Sequence, residues 1–360
     1  MMDFLEFCSQ TQIAHTPELE ALYLQAENSG ELLRPPLTQW IKPLFPQLHQ
    51  IVLDASQQIA GDGVALRYLN LLRLTYRQPI PTPFLEPAQG NVMRNFAPTL
   101  ALISFWPDTE VTLQQRGFDK ATCTLLSGKF ESYLLRHQST FGYLATSRTL
   151  FFWAKHYLTP DIFCIGNLEF EITGMPADQN IFRHIRSGEL VALGNVCETE
   201  DAFCGNGIRY RSEEIQRHTL PKAEYQRWIS AGEDILSVHI PRGADISAAA
   251  CADTYQKALD FFARYYPERT IRGFHCQSWL MDPALEEFLP KSSRIVSFQQ
   301  FFQRYPVRSN GKEVFSFVHP TPFASYAELP ENTALERALK QRYLNNDPIF
   351  VHAGLHLLTC

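Results

Sequence analysis

Four side chains stand out as groups able to move protons: His239, His275, Glu169 and Glu171. His239 lies near the end of Ile235-Leu236-Ser237-Val238-His239-Ile240, whose length and β-branched content predict a strand. An imidazole titrates near neutrality, which suits a general base, although a histidine at a strand end also serves to bond a backbone carbonyl. His275 falls inside a second expected strand, Ile271–Ser278, where a structural role is the simpler reading. Glu169 and Glu171 alternate with Leu168, Phe170 and Ile172, so both carboxylates share one strand face, either as a solvated surface or as base candidates. Cys276 adjoins His275 but points to the opposite face of the strand, so the two make no direct dyad.

The first strand runs into Pro241-Arg242-Gly243-Ala244-Asp245, and apolar residues then recur at Cys251, Tyr255, Ala258, Phe262 and Tyr265, at helical spacing. Ser247 is the expected N-cap. A strand entering a helix through a glycine turn presents backbone N–H groups and the positive end of the helix dipole, which together favour an anion. A phosphate-bearing cofactor is expected there. The aromatic residues of that helix read most simply as core. His352 and His356 share a strand face, but two ligands do not make a zinc site, and no metal is expected.

The positioning elements follow from the rest of the chain. Its 360 residues, 45% hydrophobic and 19% charged, fit a globular protein with a sizeable core. A net charge of −6 argues against nucleic acid as a partner. The eight cysteines have irregular spacing and no CxxC pair, which reads as a reducing, cytoplasmic setting. The start, MMDFLEFCSQ, lacks the features of a signal peptide, and no apolar run approaches the ~20 residues that span a bilayer.

Residues 1–159 carry helical patterns and no alternation of any length, with helices expected at 17–27, 64–76, 92–105, 119–137 and 149–157. Asp119 caps one of these, and the region 37–60 is also expected to be helical, interrupted by Pro43 and Pro46. After Pro160 the pattern changes. Ser187-Gly188 and Gly205-Asn206-Gly207 signal hairpins. Ile295–Phe302, Val314–Val318 and Ile349–Leu358 read as strands. Thr333 with Glu336 forms a capping box for a helix through Leu344. The two strands around the central helix should be parallel neighbours. The fold class expected is α+β: a helical N-terminal domain (1–159) followed by a mixed-sheet domain (160–360).

This order resembles the GNAT acyltransferase fold. More narrowly, it is similar to bacterial acyltransferase-domain proteins with a helical N-terminal domain and a GNAT-like C-terminal domain. The resemblance rests on Gln115-Arg116-Gly117-Phe118, the Trp153 helix, IFCIGNLEFE, SVHIPRGADIS, FFARYYPE, HCQSWLMDPALEEFLP, RIVSFQQFF and TALERAL. It implies acyl-CoA or acetyl-CoA as co-substrate and direct transfer of the acyl group to the amine of a small molecule, with the helical domain shaping the acceptor site. It also implies that Val238 and Ile240 offer backbone groups to the thioester, and that Arg242, Gly243, Ala244 and Ser247 hold the pyrophosphate. The base would be His239, Glu169, Glu171 or His275, taking the proton of an amine that is mostly protonated at neutral pH. The turn departs from the usual Gln/Arg-x-x-Gly-x-Gly/Ala pattern, with a single glycine and with Asp245 beside the phosphate position. That departure keeps open an alternative, a non-catalytic protein that uses the same cleft for a ligand or partner.

Overall fold

A computed structural model describes residues 2–28, 37–76, 78–208, 216–319 and 321–358. Residues 29–36, between the expected helices at 17–27 and 37–60, lie outside the described residues. The chain divides into two compact units, Met1–Phe163 and Cys164–Cys360.

Among its described residues the first unit is helical: α1 (Phe4–Thr11), α2 (Pro17–Asn28), α3 (Leu37–Leu44), α4 (His49–Gly61), α5 (Gly63–Tyr76), α6 (Val92–Ile103), α7 (Trp106–Gln115), α8 (Lys120–Phe141) and α9 (Arg148–Leu158). Side-chain caps set several starts: Asn91 for α6, Asp119 for α8 and Ser147 for α9. α4 has no such cap of its own. Instead the buried Glu131 carboxylate accepts the N–H groups of Gln47 and Leu48, at 2.7 and 2.8 Å, where the dipole favours a negative charge. α1 and α7 are not among the helices expected from the sequence, although Asp3 caps α1 by accepting Glu6 N–H and Pro107 sits in the first turn of α7.

The second unit contains two sheets. The first has the order β1-β2-β8-β9-β11-β10, with β1 (Ile162–Ile165), β2 (Leu168–Gly174), β8 (Asp234–His239), β9 (Gly273–Ser278), β10 (Gln303–Pro306) and β11 (His352–Leu357). The second has the order β6-β5-β4-β3-β7, with β3 (Asn180–His184), β4 (Leu190–Glu198), β5 (Ala202–Gly207), β6 (Gln216–Pro221) and β7 (Tyr225–Ile229). The long helix α10 (Ala248–Tyr265) connects β8 to β9, which pair in parallel. Its buried face, Cys251, Thr254, Tyr255, Ala258 and Phe262, packs on the first sheet, with the Tyr255 ring 4.8 Å from Phe274 and 6.3 Å from Phe170.

Three expectations need correction. Ile295–Phe302 is not a strand. Ser293 caps α11 (Arg294–Gln299), which buries Val296, Phe298 and Gln299, and a short apolar run fits a buried helix as well as a strand. Val314–Val318 is likewise a single helical turn, α12 (Phe315–Val318). Gly205-Asn206-Gly207 is not a hairpin turn but part of β5. A Cβ at Gly205 would lie 2.9 Å from the Gly194 carbonyl, so that glycine serves close strand packing. The turn itself lies at Thr199–Ala202, where Thr199 N–H donates to the Ala202 carbonyl at 2.9 Å. The capping box at Thr333 and Glu336 starts α13 (Ala334–Leu344) as the sequence implies.

The β1–β2 turn fixes the first sheet against α10. Asn167 N–H donates to the hydroxyl of the fully buried Thr254 at 3.3 Å. Gly166 has φ of +58°, and a Cβ there would collide with Thr254 Oγ1. Gly166→Ala should therefore cost about 2 kcal/mol or more, through left-handed backbone strain and the collision together. Calorimetry should show a melting temperature several degrees lower, and an unchanged melting temperature contradicts this reading.

Candidate active site

β8 and β9 part company halfway along. Their ladder comprises Leu236↔Phe274 and Ser237↔His275. Each strand stays with its outer neighbour much further, β8 with β2 to His239↔Glu169 and β9 with β11 to Ser278↔His352. The carboxyl halves of two adjacent parallel strands therefore diverge, and ligands of open α/β sheets bind at such strand ends. Backbone direction is fixed by two bonds. Met175 N–H donates to the Glu233 carbonyl at 2.9 Å and Arg272 N–H to the Asp234 carbonyl at 2.8 Å. Peptide groups alternate sides along a strand, so those of Leu236, Val238 and Ile240 point toward β9. Beyond the ladder, the Val238 carbonyl and Ile240 N–H face the gap.

The turn after β8 is tight. Ala244 N–H donates to the Pro241 carbonyl at 3.0 Å, and Gly243, with φ of +83°, takes the position that requires a left-handed backbone. Arg242 and Gly243 are exposed. Ser247 occupies the N-cap position of α10, but its hydroxyl makes no capping bond. Asp245 Oδ1 accepts the N–H of Ser247 itself at 3.0 Å, which is not a cap on the first-turn N–H groups of α10. That bond, with the Arg294 guanidinium 3.5 Å away, holds the Asp245 carboxyl below its ordinary range. The counter-charge to Asp245 thus comes from Arg294 on α11, a residue the sequence did not single out. The pair is exposed and contributes little to stability.

Register brings the proton-transfer candidates together. Glu169 stands opposite His239 and Glu171 opposite Ser237, while Ser237 stands beside His275 in the parallel pair. All four candidates therefore project from one face of the sheet, and Phe170, Val238, Phe274 and Cys276 project from the other, toward α10. His239 Nε2 lies 3.3 Å from Glu171 Oε2, and both side chains keep partial access to solvent, 27% and 20%. Glu169 is buried rather than solvated, and Cys164 Sγ–H donates to its Oε1 at 3.6 Å. His275 is buried, with Nε2 3.0 Å from the Tyr305 hydroxyl. Burial, reinforced by neighbouring His239, lowers its pKa to about 4. Burial alone pushes the Cys276 thiol up to about 12, which leaves it no nucleophilic thiolate at neutral pH. Asp282 caps the short 3-10 helix Pro283–Glu287, and burial beside it lowers the pKa of His352. Among the described residues no cluster of His, Cys, Asp and Glu is arranged to hold a metal ion, and no helix is long and apolar enough to cross a membrane.

Residues 162–356 match the model of the GNAT-like C-terminal domain, more than half of the chain. The chain belongs to this GNAT-like family. β8, the Gly243 turn, α10 and β9 thus form the central crossover of a GNAT-like domain. Solved structures extend the likeness across both units. An acyltransferase in complex with decanoyl-CoA is 16% identical with a TM-score of 0.67, and covers 99% of this chain and 100% of its own. An acyltransferase mutant in complex with octanoyl-CoA is 17% identical, with a TM-score of 0.68 and the same coverage. An acyltransferase in complex with CoA and 10C-teicoplanin is 17% identical, with a TM-score of 0.69 and the same coverage. At these identities the likeness is one of fold. No curated protein sequence matches this one significantly.

Burial of His275 in its neutral form makes stability depend on pH. The ordinary pKa of the ring is 6.5, so as pH falls the unfolded chain takes the proton first. The contribution to stability is fully present above about 6.5 and is lost as pH falls toward 4, on the order of 3 kcal/mol in all. In a protein with ¹³C-labelled histidine, the His275 ring signal should keep its neutral position from pH 7.5 to 5. A midpoint near 6.5 contradicts the buried, neutral assignment.

Proposed function

We propose that this protein transfers an acyl group from an acyl-CoA thioester directly to the amine of a small molecule. The observation that carries the reading is the divergence of β8 and β9 after Ser237↔His275, immediately before a glycine turn and a helix N-terminus. An extended thioester arm laid in that gap meets the Val238 carbonyl and the Ile240 N–H. The phosphates then reach the Arg242-Gly243-Ala244 turn and the first turn of α10, whose N–H groups have no partner within the helix. Asp245 does not oppose them as a bare charge, because Ser247 N–H and Arg294 engage it. Neighbours of the same fold are acyltransferases with decanoyl-CoA or octanoyl-CoA, which supports a thioester substrate.

His239 is the best-placed base. It lies at the carboxyl end of β8, on the face where Glu169, Glu171 and His275 also stand. A Glu171 carboxylate that accepts the Nε2 hydrogen fixes the tautomer, so the basic nitrogen of the neutral ring is Nδ1. In the reaction the ammonium first loses a proton to solvent; the neutral amine nitrogen then bonds to the thioester carbon and His239 takes the proton that nitrogen sheds. The oxyanion that forms is stabilised by the strand backbone, with Ile240 N–H as the available donor. The carbon–sulfur bond then breaks, and the CoA thiolate leaves and takes a proton. Glu169 and His275 are too enclosed to serve as readily, being 6% and 3% exposed.

Titration calorimetry with octanoyl-CoA and decanoyl-CoA tests the binding half, with saturable binding expected and no binding of either contradicting the proposal. His239→Ala should keep acyl-CoA affinity and lose about 10²-fold or more in turnover. Unchanged turnover removes His239 as the base. Tight acyl-CoA binding with no transfer to any amine would favour a non-catalytic binding protein, for which the single-glycine turn speaks.

A further inference from the structure

Adjacent parallel strands gain by pairing along their whole length, since each further ladder bond adds a net stabilising contribution. β8 and β9 forgo that gain after Ser237↔His275. Pairing with β2 and β11 holds each strand to its outer neighbour but does not by itself stop the two from closing. The β9 side chains at and just past the divergence are both tied away from β8. His275 Nε2 lies 3.0 Å from the Tyr305 hydroxyl, that hydroxyl donates to Gln179 Oε1 at 2.7 Å, and Gln179 Nε2 donates to Gln277 Oε1 at 3.3 Å. A hydroxyl has one hydrogen. Tyr305 gives it to Gln179, so the bond to His275 is completed by a hydrogen on Nε2 of the neutral ring.

His275, Tyr305 and Gln179 are 3%, 1% and 4% exposed, whereas Gln277 is exposed at the open end of the gap. The hub sits on the far side of β9. Tyr305 belongs to β10, opposite Ala353 of β11, which is itself opposite Gln277. Gln179 directly precedes β3 of the other sheet. We propose that Tyr305 and Gln179 form a staple that draws β9 away from β8 and holds the gap open for the thioester arm. The proposal rests on the acyl-CoA reading of that gap. Neither residue touches the reacting atoms, so both are positioning residues. Their effect belongs to thioester binding and not to proton transfer at His239. Removing the Tyr305 hydroxyl leaves Gln179 Oε1 and His275 Nε2–H without this partner in a buried place, which favours rearrangement of the hub. The strands are then free to extend their ladder.

The test uses the full chain with Tyr305→Phe and, because Gln277 is exposed and tolerant of truncation, Gln277→Ala. The KM for decanoyl-CoA should rise about tenfold in the first and about threefold in the second, with kcat within twofold of wild type. In the ligand-free protein, amide exchange of residues 238–240 and 273–278 should slow about fivefold or more in Tyr305→Phe, and about twofold in Gln277→Ala, as the ladder closes. A KM within twofold of wild type in both variants, or exchange that is unchanged or faster, overturns the staple. If Tyr305→Phe fails to fold, the KM and exchange of Gln277→Ala decide. If the wild-type protein binds no acyl-CoA, the acyltransferase reading fails separately, and exchange in the ligand-free protein still decides the staple.

Discussion

Two adjacent parallel strands that pair over only two residues are the constraint on which the second unit depends. β8 and β9 are both central in the sheet, and each is secured along its outer edge by an antiparallel partner. That outer pairing keeps each strand in the sheet where the two diverge. It supplies something a continuous sheet lacks: peptide groups from Val238 and Ile240 that face a gap rather than a neighbouring strand. α10 closes one face of the sheet beneath that gap, and its N-terminus follows β8 within a few residues. The backbone groups that face the gap and the N–H groups at the start of α10 therefore lie along one line of chain.

The chemistry of the two sheet faces differs for a reason of period. Alternation along β2, β8 and β9 sends Phe170, Val238, Phe274 and Cys276 to α10, while Glu169, Glu171, His239 and His275 go to the opposite face. Burial then separates the two histidines. His275 is enclosed and neutral, within a hydrogen-bonded chain that reaches Gln179 and Gln277. His239 keeps contact with solvent and with Glu171. Histidines on one sheet face thus meet different surroundings, one partly open to solvent beside Glu171 and one held in a buried hydrogen-bonded chain.

Much of the architecture was legible in the sequence because it is written locally. The apolar run at Ile235, the glycine turn and the 3.6-residue spacing after Asp245 each depend on near neighbours, and together they specify β8, α10 and β9. Strand period alone placed Glu169 and Glu171 on one face. The errors came where local signals are ambiguous: Ile295–Phe302 and Val314–Val318 are short apolar runs that tertiary context makes helical. β6 and β7, with QRHTLP and YQRWI, carry no apolar pattern to read. At the site, pairing of His239 with Glu171 requires the β2–β8 register, which no spacing reveals. Tyr305 and Gln179 lie 126 positions apart and meet only through the fold. The Asp245 charge looked adverse to a phosphate until α11 brought Arg294 beside it.

If the gap between β8 and β9 holds the thioester arm, with the phosphates on the turn that follows, a bound ligand must shield that backbone from exchange. Hydrogen exchange is read by mass spectrometry with and without a non-reactive thioether analogue of decanoyl-CoA. Strong protection is expected at residues 238–250, the end of β8 through the first turn of α10, together with the β9 segment 276–278. Protection confined to other parts of the chain, or none at saturating analogue, would contradict that placement of the ligand.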